Sequence, residues 1–210
     1  DEHDEHDEHD EHDEHDEHDE HDEHDDEMAS SGHDAHDHGD YDPHAWLDPM
    51  IMVRWAEILT TQLGAIDPDN AGLYRSRFAA WEITMQRLDE ELANVFATID
   101  GAIIVPHDAY RYLAHRYGLT VAAAIAESDA SDPGLSHVQE LDELVEGGGI
   151  ACVLSDPETG TRIAESLIEG TSLRTAMVDP MGASIVPGPD HYLQMMRELG
   201  DTIATCASGT

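Results

Sequence analysis

Two histidines in this sequence have surroundings that suit a metal ligand, and His44 is the first. Pro43 restricts Asp42 to extended geometry, and Asp48-Pro49 opens a helical pattern directly afterwards. His44 is therefore predicted to lie on a short rigid connection between a polar loop and a packed helix. A neutral imidazole at such a position can bind zinc, although a histidine in an ordinary turn is the simpler alternative.

The second histidine, His107, follows the first predicted β-strand, and Asp179 follows the fourth. The carboxyl ends of parallel strands lie at one edge of a sheet, where ligands bind in open α/β folds. We therefore expect His107 and Asp179 to lie within reach of one shared ion. Glu127-Ser128-Asp129 follows the second strand and Ser155-Asp156-Pro157 follows the third, so these residues belong to the same edge. A histidine directly after a strand is also a common helix-capping residue, and this alternative stays open.

The elements that position these residues alternate from residue 101 onward between short apolar runs and helical patterns. Strands are predicted at residues 102–105, 119–126, 150–154 and 174–178, and helices at 49–64, 108–117, 136–146, 159–169 and 191–206. Four strand–helix units indicate an α/β fold whose parallel sheet is covered by helices on both faces.

One further helix is unusually long. Apolar side chains recur at alternating steps of four and three from Tyr74 to Ile99, and Asp67-Pro68 supplies a helix start. A helix of about 30 residues would extend about 45 Å, which suits a connection between two lobes. An ordinary bundle helix is the alternative.

The N-terminal region is a repeat of metal-binding side chains. Residues 1–24 are eight copies of Asp-Glu-His, and His33, His36 and His38 follow. The repeat has no apolar residue to bury and residues 25–41 have few, which predicts that residues 1–41 are disordered. Imidazoles and carboxylates at this density predict many weak sites for zinc, nickel or copper. A solvating tail with incidental histidines and a cloning tag are the alternatives.

The charge balance limits the possible partners. Asp and Glu number 48 against nine arginines, there is no lysine, and the formal net charge is −39. Such a surface repels nucleic acid and anionic lipid and attracts cations, so we exclude a nucleic-acid role. No apolar run approaches the roughly 18–20 residues of a membrane span. Because residue 1 already lies inside a repeat, we expect a fragment whose N-terminal part, with any signal peptide, is absent.

The two cysteines, Cys152 and Cys206, are 54 residues apart and could form a disulfide, be two buried thiols, or be unrelated. We favour a disulfide that ties the C-terminal helix to a core strand, which implies an oxidising compartment.

Signs of catalysis are few. The sequence contains no Gly-x-Ser-x-Gly, no His-Glu-x-x-His and no phosphate-binding glycine loop, so we do not expect an enzyme. A metal-dependent hydrolase with Asp108 as its base is the enzymatic alternative.

Three motifs occur in an order that resembles a known family. They are Asp-Pro-His-Ala-Trp-Leu-Asp-Pro at 42–49, Val-Pro-His-Asp-Ala-Tyr at 105–110 and Val-Asp-Pro-Met-Gly at 178–182. Together they resemble the zinc-binding substrate proteins of bacterial ABC importers, the cluster A-I metal-binding proteins, over residues 41–206. A loop rich in histidine and acidic residues before the first motif is also typical of the zinc-binding members, and so is a cysteine pair near the C-terminus.

The resemblance implies two lobes of parallel sheet and helices, joined by a rigid long helix, with the metal in the cleft. Residues 42–66 would end the first lobe, most of which is missing here; residues 67–100 would form the linker helix and 101–210 the second lobe. His44 would be the ligand from the first lobe and His107 the ligand from the second. Asp179 matches a carboxylate ligand of the manganese-binding relatives, and no residue matches the family's first histidine. The resemblance also implies that Cys152 and Cys206 are bonded.

The function that the resemblance implies is zinc capture in the periplasm by a monomer that delivers Zn²⁺ to the membrane permease of an ABC importer. Two alternatives remain: a manganese- or iron-binding relative, and a metal buffer in which only the N-terminal tract matters.

Overall fold

The architecture is an α/β fold, and the computed structural model describes residues 42–127, 133–157 and 161–208. All of these residues fall within one unit, His36–Thr210. The predicted disorder of residues 1–41 and the accessory ligands His33, His36 and His38 lie outside the described residues. The boundaries proposed for two lobes and a linker stay a prediction.

The sheet has four parallel strands in the order β2-β1-β3-β4. The strands are Ala102–His107 (β1), Thr120–Ala126 (β2), Ile150–Ser155 (β3) and Thr175–Met177 (β4). Because β1 leads outward to β2 and β3 leads outward to β4, the chain reverses its direction of winding between β1 and β3. Open α/β sheets bind ligands at such a switch point, beyond the carboxyl ends of the strands.

The helices follow the predicted pattern closely. They are Pro49–Ile66 (α1), Ala71–Phe96 (α2), Arg111–Tyr117 (α3), Leu135–Glu146 (α4), Arg162–Leu167 (α5) and His191–Ser208 (α6), with short 3-10 helices at Ala45–Leu47 and Pro68–Asn70. Residue 159, where the fifth of these helices was expected to begin, lies outside the described residues.

Both faces of the sheet are covered, as predicted. Successive side chains of a strand point to opposite faces, so Ile103 and Ile104 belong to different core clusters. Ile103 packs in the cluster that contains residues of α2, α3 and α6, whereas Ile104 packs with residues of α4 and α5. These two layers fix the carboxyl ends of β1 and β3, where the site residues lie.

β1 is longer than predicted and ends at His107 itself. Pro106 has no N–H to donate, which disfavours it in the middle of a sheet. The strand continues because β1 remains paired with β2 as far as His107. Its pairing with β3 ends at Ile104, so no hydrogen bond to β3 is needed at Pro106. Beyond Ile104, β1 behaves as an edge strand, where proline is tolerated.

The first two helices also differ from expectation at their ends. α1 continues through Gly64 to Ile66. Glycine at residue 64 lets α2 approach closely, because a Cβ there would lie only 3.3 Å from the Cβ of Ala71 on α2. Asp67 does not cap α2 directly, since one 3-10 turn separates them. With 26 residues, α2 extends about 39 Å, and its fully buried residues all lie in its C-terminal half.

Cys152 and Cys206 form a disulfide with their Cα atoms 5.6 Å apart, which confirms the predicted pairing of β3 with α6. Within the described ranges, no helix combines the length and apolar character that a membrane crossing requires.

Candidate metal centre

His44 is held by the turn that precedes α1. The Oδ1 atom of Asp42 accepts the backbone N–H of His44 at 2.9 Å and lies 2.8 Å from its ring Nδ1. The next three residues form a 3-10 helix, and Asp48 then caps α1 by accepting from the backbone N–H of Met50 at 2.8 Å. Asp42 thus fixes both the backbone and the ring of His44, with Pro43 limiting the freedom of the turn.

His107 is held from the other side of the switch point. Its Nδ1 lies 2.9 Å from Oδ2 of Asp156, the residue that directly follows β3. The side chain of Asp156 is fully buried and that of His107 is 8% exposed. This contact connects the ends of the two strands between which the direction of winding reverses.

The two imidazoles lie next to each other. Their ring centroids are 5.5 Å apart, with 60° between the ring planes. Two imidazoles bound to one tetrahedral zinc at about 2.0–2.1 Å per nitrogen would have centroids roughly 5 Å apart. The separation of the rings therefore fits a shared ion.

The partners of the rings determine which nitrogen faces a metal. Because an ionised carboxylate can only accept a hydrogen bond, ionised Asp42 and Asp156 require the hydrogen on Nδ1 of His44 and on Nδ1 of His107. Each Nε2 is then the nitrogen with a lone pair to offer. A carboxylate behind a metal-binding imidazole fixes the tautomer and raises its basicity, which is a recurrent arrangement in protein metal sites.

Asp179, the third predicted ligand, is engaged in its own loop. Its carboxylate accepts the backbone N–H groups of Ala183 and Ser184, each at 2.9 Å, and the Ser184 hydroxyl at 2.8 Å. Over the part of the chain that the structure describes, no group of three or more His, Cys, Asp or Glu side chains is arranged to hold a metal. A direct contact between Asp179 and a metal stays a prediction.

Asp108, the candidate base, and two further histidines have structural partners. Asp108 forms an ion pair with Arg111 at 3.0 Å. The ring nitrogen Nε2 of His137 lies 2.8 Å from the Ala124 carbonyl, and that of His191 lies 3.0 Å from the Gly182 carbonyl.

Two residues near the site were not singled out from the sequence. The Trp46 indole donates to the Pro180 carbonyl at 3.0 Å, and its ring centroid lies 5.2 Å from that of His44. The Tyr192 hydroxyl on α6 donates to the Trp46 carbonyl at 2.7 Å. The sequence signals were weak: Trp46 lies inside the first motif, but nothing near Tyr192 indicates its partner.

A second set of contacts fixes the helix that follows His44. Arg116 on α3 binds Asp89 on α2 through two nitrogens, and its Nε lies 3.9 Å from Oδ1 of Asp48. The Tyr117 hydroxyl donates to the same Asp89 carboxylate at 3.0 Å. Burial and the charge of Asp89 raise the pKa of Tyr117 well above its usual range, so the hydroxyl keeps its proton and remains a donor.

The chain has an open α/β sheet and two adjacent imidazoles, each with a carboxylate behind it, near the switch point. This arrangement is typical of metal-binding α/β proteins. Comparison with known families places the chain more closely. The family described as zinc-uptake complex component A, periplasmic, matches residues 1–206, and the chain belongs to that family.

Individual relatives agree with this assignment. The chain is 34% identical over 171 residues to the high-affinity zinc uptake system protein ZnuA of Brucella suis, covering 81% of this chain and 51% of the relative. It is 36% identical over 168 residues to the protein of the same description from Paracoccus denitrificans, covering 79% and 51%. The chain therefore spans about half the length of the curated relatives that it matches.

The fold also has solved counterparts. A crystal structure of ZnuA aligns with a TM-score of 0.69 at 23% identity, over 80% of this chain and 62% of the other. At this identity the likeness concerns the fold, and it agrees with the α/β architecture.

Proposed function

We propose that this chain binds a zinc ion between His44 and His107 and, in the intact protein, captures zinc in the periplasm for the permease of an ABC importer. The observation that carries the proposal is the pair of adjacent imidazoles, each backed by a carboxylate. Membership of a zinc-uptake family described as periplasmic supports both the cargo and the compartment.

The donor set favours zinc over harder ions. Imidazole nitrogen suits zinc, whereas carboxylate, carbonyl and water oxygens suit magnesium, calcium and manganese. Two imidazoles leave two positions of a tetrahedron for water or for ligands beyond the described residues. Zinc would be the cargo of the protein, and the protein would act as a monomer. The ion pair of Asp108 with Arg111 gives no support to a hydrolase in which Asp108 is the base.

The experiment must separate this site from the N-terminal tract. The full chain is prepared with the eleven histidines that precede His44 replaced by Asn, and zinc binding is measured by competition with a chelator. One zinc should still bind tightly, and His44→Ala or His107→Ala should weaken it by about 100-fold or more, because each removes a ligand. His115→Ala, at an exposed residue of α3, is the matched control.

Loss of all tight binding once the tract histidines are replaced would favour the metal-buffer function instead. Tight binding that survives both His44→Ala and His107→Ala would place the zinc elsewhere. A preference for manganese over zinc in the same competition assay would point to the manganese-binding alternative.

A further inference from the structure

We propose that Asp179 is a positioning residue for His44 that acts through Trp46. This inference rests on the proposed role of His44 as a zinc ligand. It assigns Asp179 a different task from the direct metal contact that the sequence predicted.

Asp179 organises the loop from 179 to 184. One carboxylate oxygen accepts the Ala183 N–H, and the other accepts both the N–H and the hydroxyl of Ser184. The Gly182 N–H donates to the Asp179 carbonyl at 3.1 Å, which closes the turn. Burial alone would raise the pKa of Asp179, but the hydrogen bonds from Ser184 and Ala183 outweigh it and hold the pKa below its usual value.

The same loop is held from its other side by α6. Gly182 has a φ of +66°, and a Cβ there would lie 2.7 Å from Cε1 of the His191 ring. The Nε2 atom of His191 lies 3.0 Å from the Gly182 carbonyl. The loop therefore has little freedom, and the carbonyl of Pro180 has a fixed position.

That carbonyl is the link to His44. The Trp46 indole donates to the Pro180 carbonyl at 3.0 Å, and the Trp46 backbone carbonyl accepts the Tyr192 hydroxyl at 2.7 Å. Trp46 is thus held at both its side chain and its backbone, with its ring against that of His44. Asp179 fixes the loop, the loop fixes the indole, and the indole limits the positions that the imidazole can take.

A direct bond to the metal would have a cost for Asp179. Its carboxylate would have to give up hydrogen bonds from three donors, each worth more than a neutral bond because the acceptor is charged. The loop that holds Trp46 would lose its organising group at the same time. The structure therefore assigns the carboxylate to the loop and the imidazoles to the metal.

The first test uses the metal-free full chain, so its result does not depend on zinc. Trp55→Phe and Trp81→Phe leave Trp46 as the only tryptophan, and its accessibility is measured by acrylamide quenching of fluorescence. Asp179→Ala should raise the quenching constant of Trp46 by about twofold, since the indole loses its fixed acceptor. Asp190→Ala, an exposed acid just before α6, should leave the constant unchanged.

Should Asp179→Ala fail to fold, Asp179→Asn keeps the size and one acceptor oxygen while losing the acceptor for either Ala183 or Ser184. It should raise the quenching in the same direction. An unchanged quenching constant in whichever folded variant is obtained would overturn the proposal.

The second test is a double-mutant cycle on zinc affinity, in the full chain without its tract histidines. Trp46→Phe removes the indole N–H, and it and Asp179→Ala should each weaken zinc binding by about tenfold, as second-shell changes do. Because both changes break one pathway, the double variant should be no more than about twofold weaker than either single variant. Losses that multiply to about a hundredfold would show that Asp179 acts independently of Trp46, as a metal ligand would.

The two proposals fail in different ways. If His44→Ala leaves zinc binding intact, the proposed function is wrong, while the quenching of Trp46 still reports whether Asp179 holds the loop. If His44→Ala abolishes binding but the cycle is additive, the metal site stands and the positioning role does not.

Discussion

At the scale of single residues, the site depends on what stands behind each imidazole. Asp42 reaches His44 from two residues away and also binds its backbone N–H, so that pair is local. Asp156 reaches His107 from 49 residues away and is fully buried, so that pair depends on the sheet. The two histidines should therefore respond differently when the fold is disturbed.

Replacing Asp156 with Asn should weaken zinc binding by about 10- to 100-fold, the usual effect of changing the group behind a metal-binding histidine. The amide of Asn can donate a hydrogen bond to Nδ1 of His107 and so favour the tautomer that carries its hydrogen on Nε2. An Nε2 that carries a hydrogen has no lone pair with which to bind a metal. Chelator competition gives the affinity, and Asp142→Asn on the exposed side of α4 is the matched control. Equal affinities of Asp156→Asn and the unaltered protein would contradict the role of Asp156.

Asp179 should contribute to stability in a pH-dependent way. Its pKa is lowered in the folded state, so its contribution is fully present above its ordinary value of 3.8 and is lost as pH falls through the lower folded value. The difference in unfolding free energy between the protein and Asp179→Asn should therefore be constant from neutral pH down to about pH 4.5 and shrink below it. Urea unfolding at a series of pH values measures it; a difference that grows with acid would refute the sign.

The sequence could select the two histidines that the structure brings together, whose role as ligands stays a prediction, but it could not select the residues behind them. His44 and His107 were indicated by residue type, by flanking prolines and by the position of a predicted strand end. Asp156 was placed at the correct edge of the sheet, but nothing local showed that it would pair with His107 rather than with solvent. Contacts between residues far apart in sequence, such as Tyr192 with Trp46, depend on how α6 packs, which no local pattern encodes.

At the scale of elements, periodicity predicted which helices and strands exist, and errors were confined to their ends. Alternation of apolar runs and helical stripes reflects burial, which the sequence records directly. The ends depend on neighbouring elements. Pro106 can remain in β1 because β3 no longer pairs with β1 at that residue. Gly64 suits α1 because α2 packs closely against it. Such facts belong to the tertiary structure.

Arg116 is the residue through which three helices should be coupled. Arg116→Met should lower the unfolding free energy by about 1 kcal/mol, less than a fully buried charged hydrogen bond because a third of the side chain is exposed. It should also weaken zinc binding by a few-fold, since Asp48 at the start of α1 loses a contact close to His44. Arg111→Met, at a largely exposed side chain that pairs with Asp108 three residues earlier, is the control that should change neither quantity.

At the scale of the whole molecule, the strand order brings His107 to Asp156, and the packing of α6 brings the His44 turn to them. The order β2-β1-β3-β4 puts the ends of β1 and β3 side by side, and α6 and the loop before it hold the His44 turn against them. The disulfide joins β3, which leads to Asp156, to α6, which carries Tyr192. The same covalent link therefore supports the elements behind both imidazoles.

Removing that link should affect stability more than zinc binding. Cys152 and Cys206 are 54 residues apart, and in the chain-entropy model a loop of this length stabilises the fold by about 4 kcal/mol. The double variant Cys152→Ala and Cys206→Ala should lose about that much unfolding free energy, since most of the effect lies in the unfolded chain. Zinc affinity at a temperature where the variant is folded should change by less than about threefold, because the hydrogen bonds around His44 and His107 remain. Denaturant unfolding measures the stability and chelator competition measures the zinc affinity of the same preparation. A large loss of affinity in the folded variant would mean that the disulfide itself holds His44 and His107 in their relative positions.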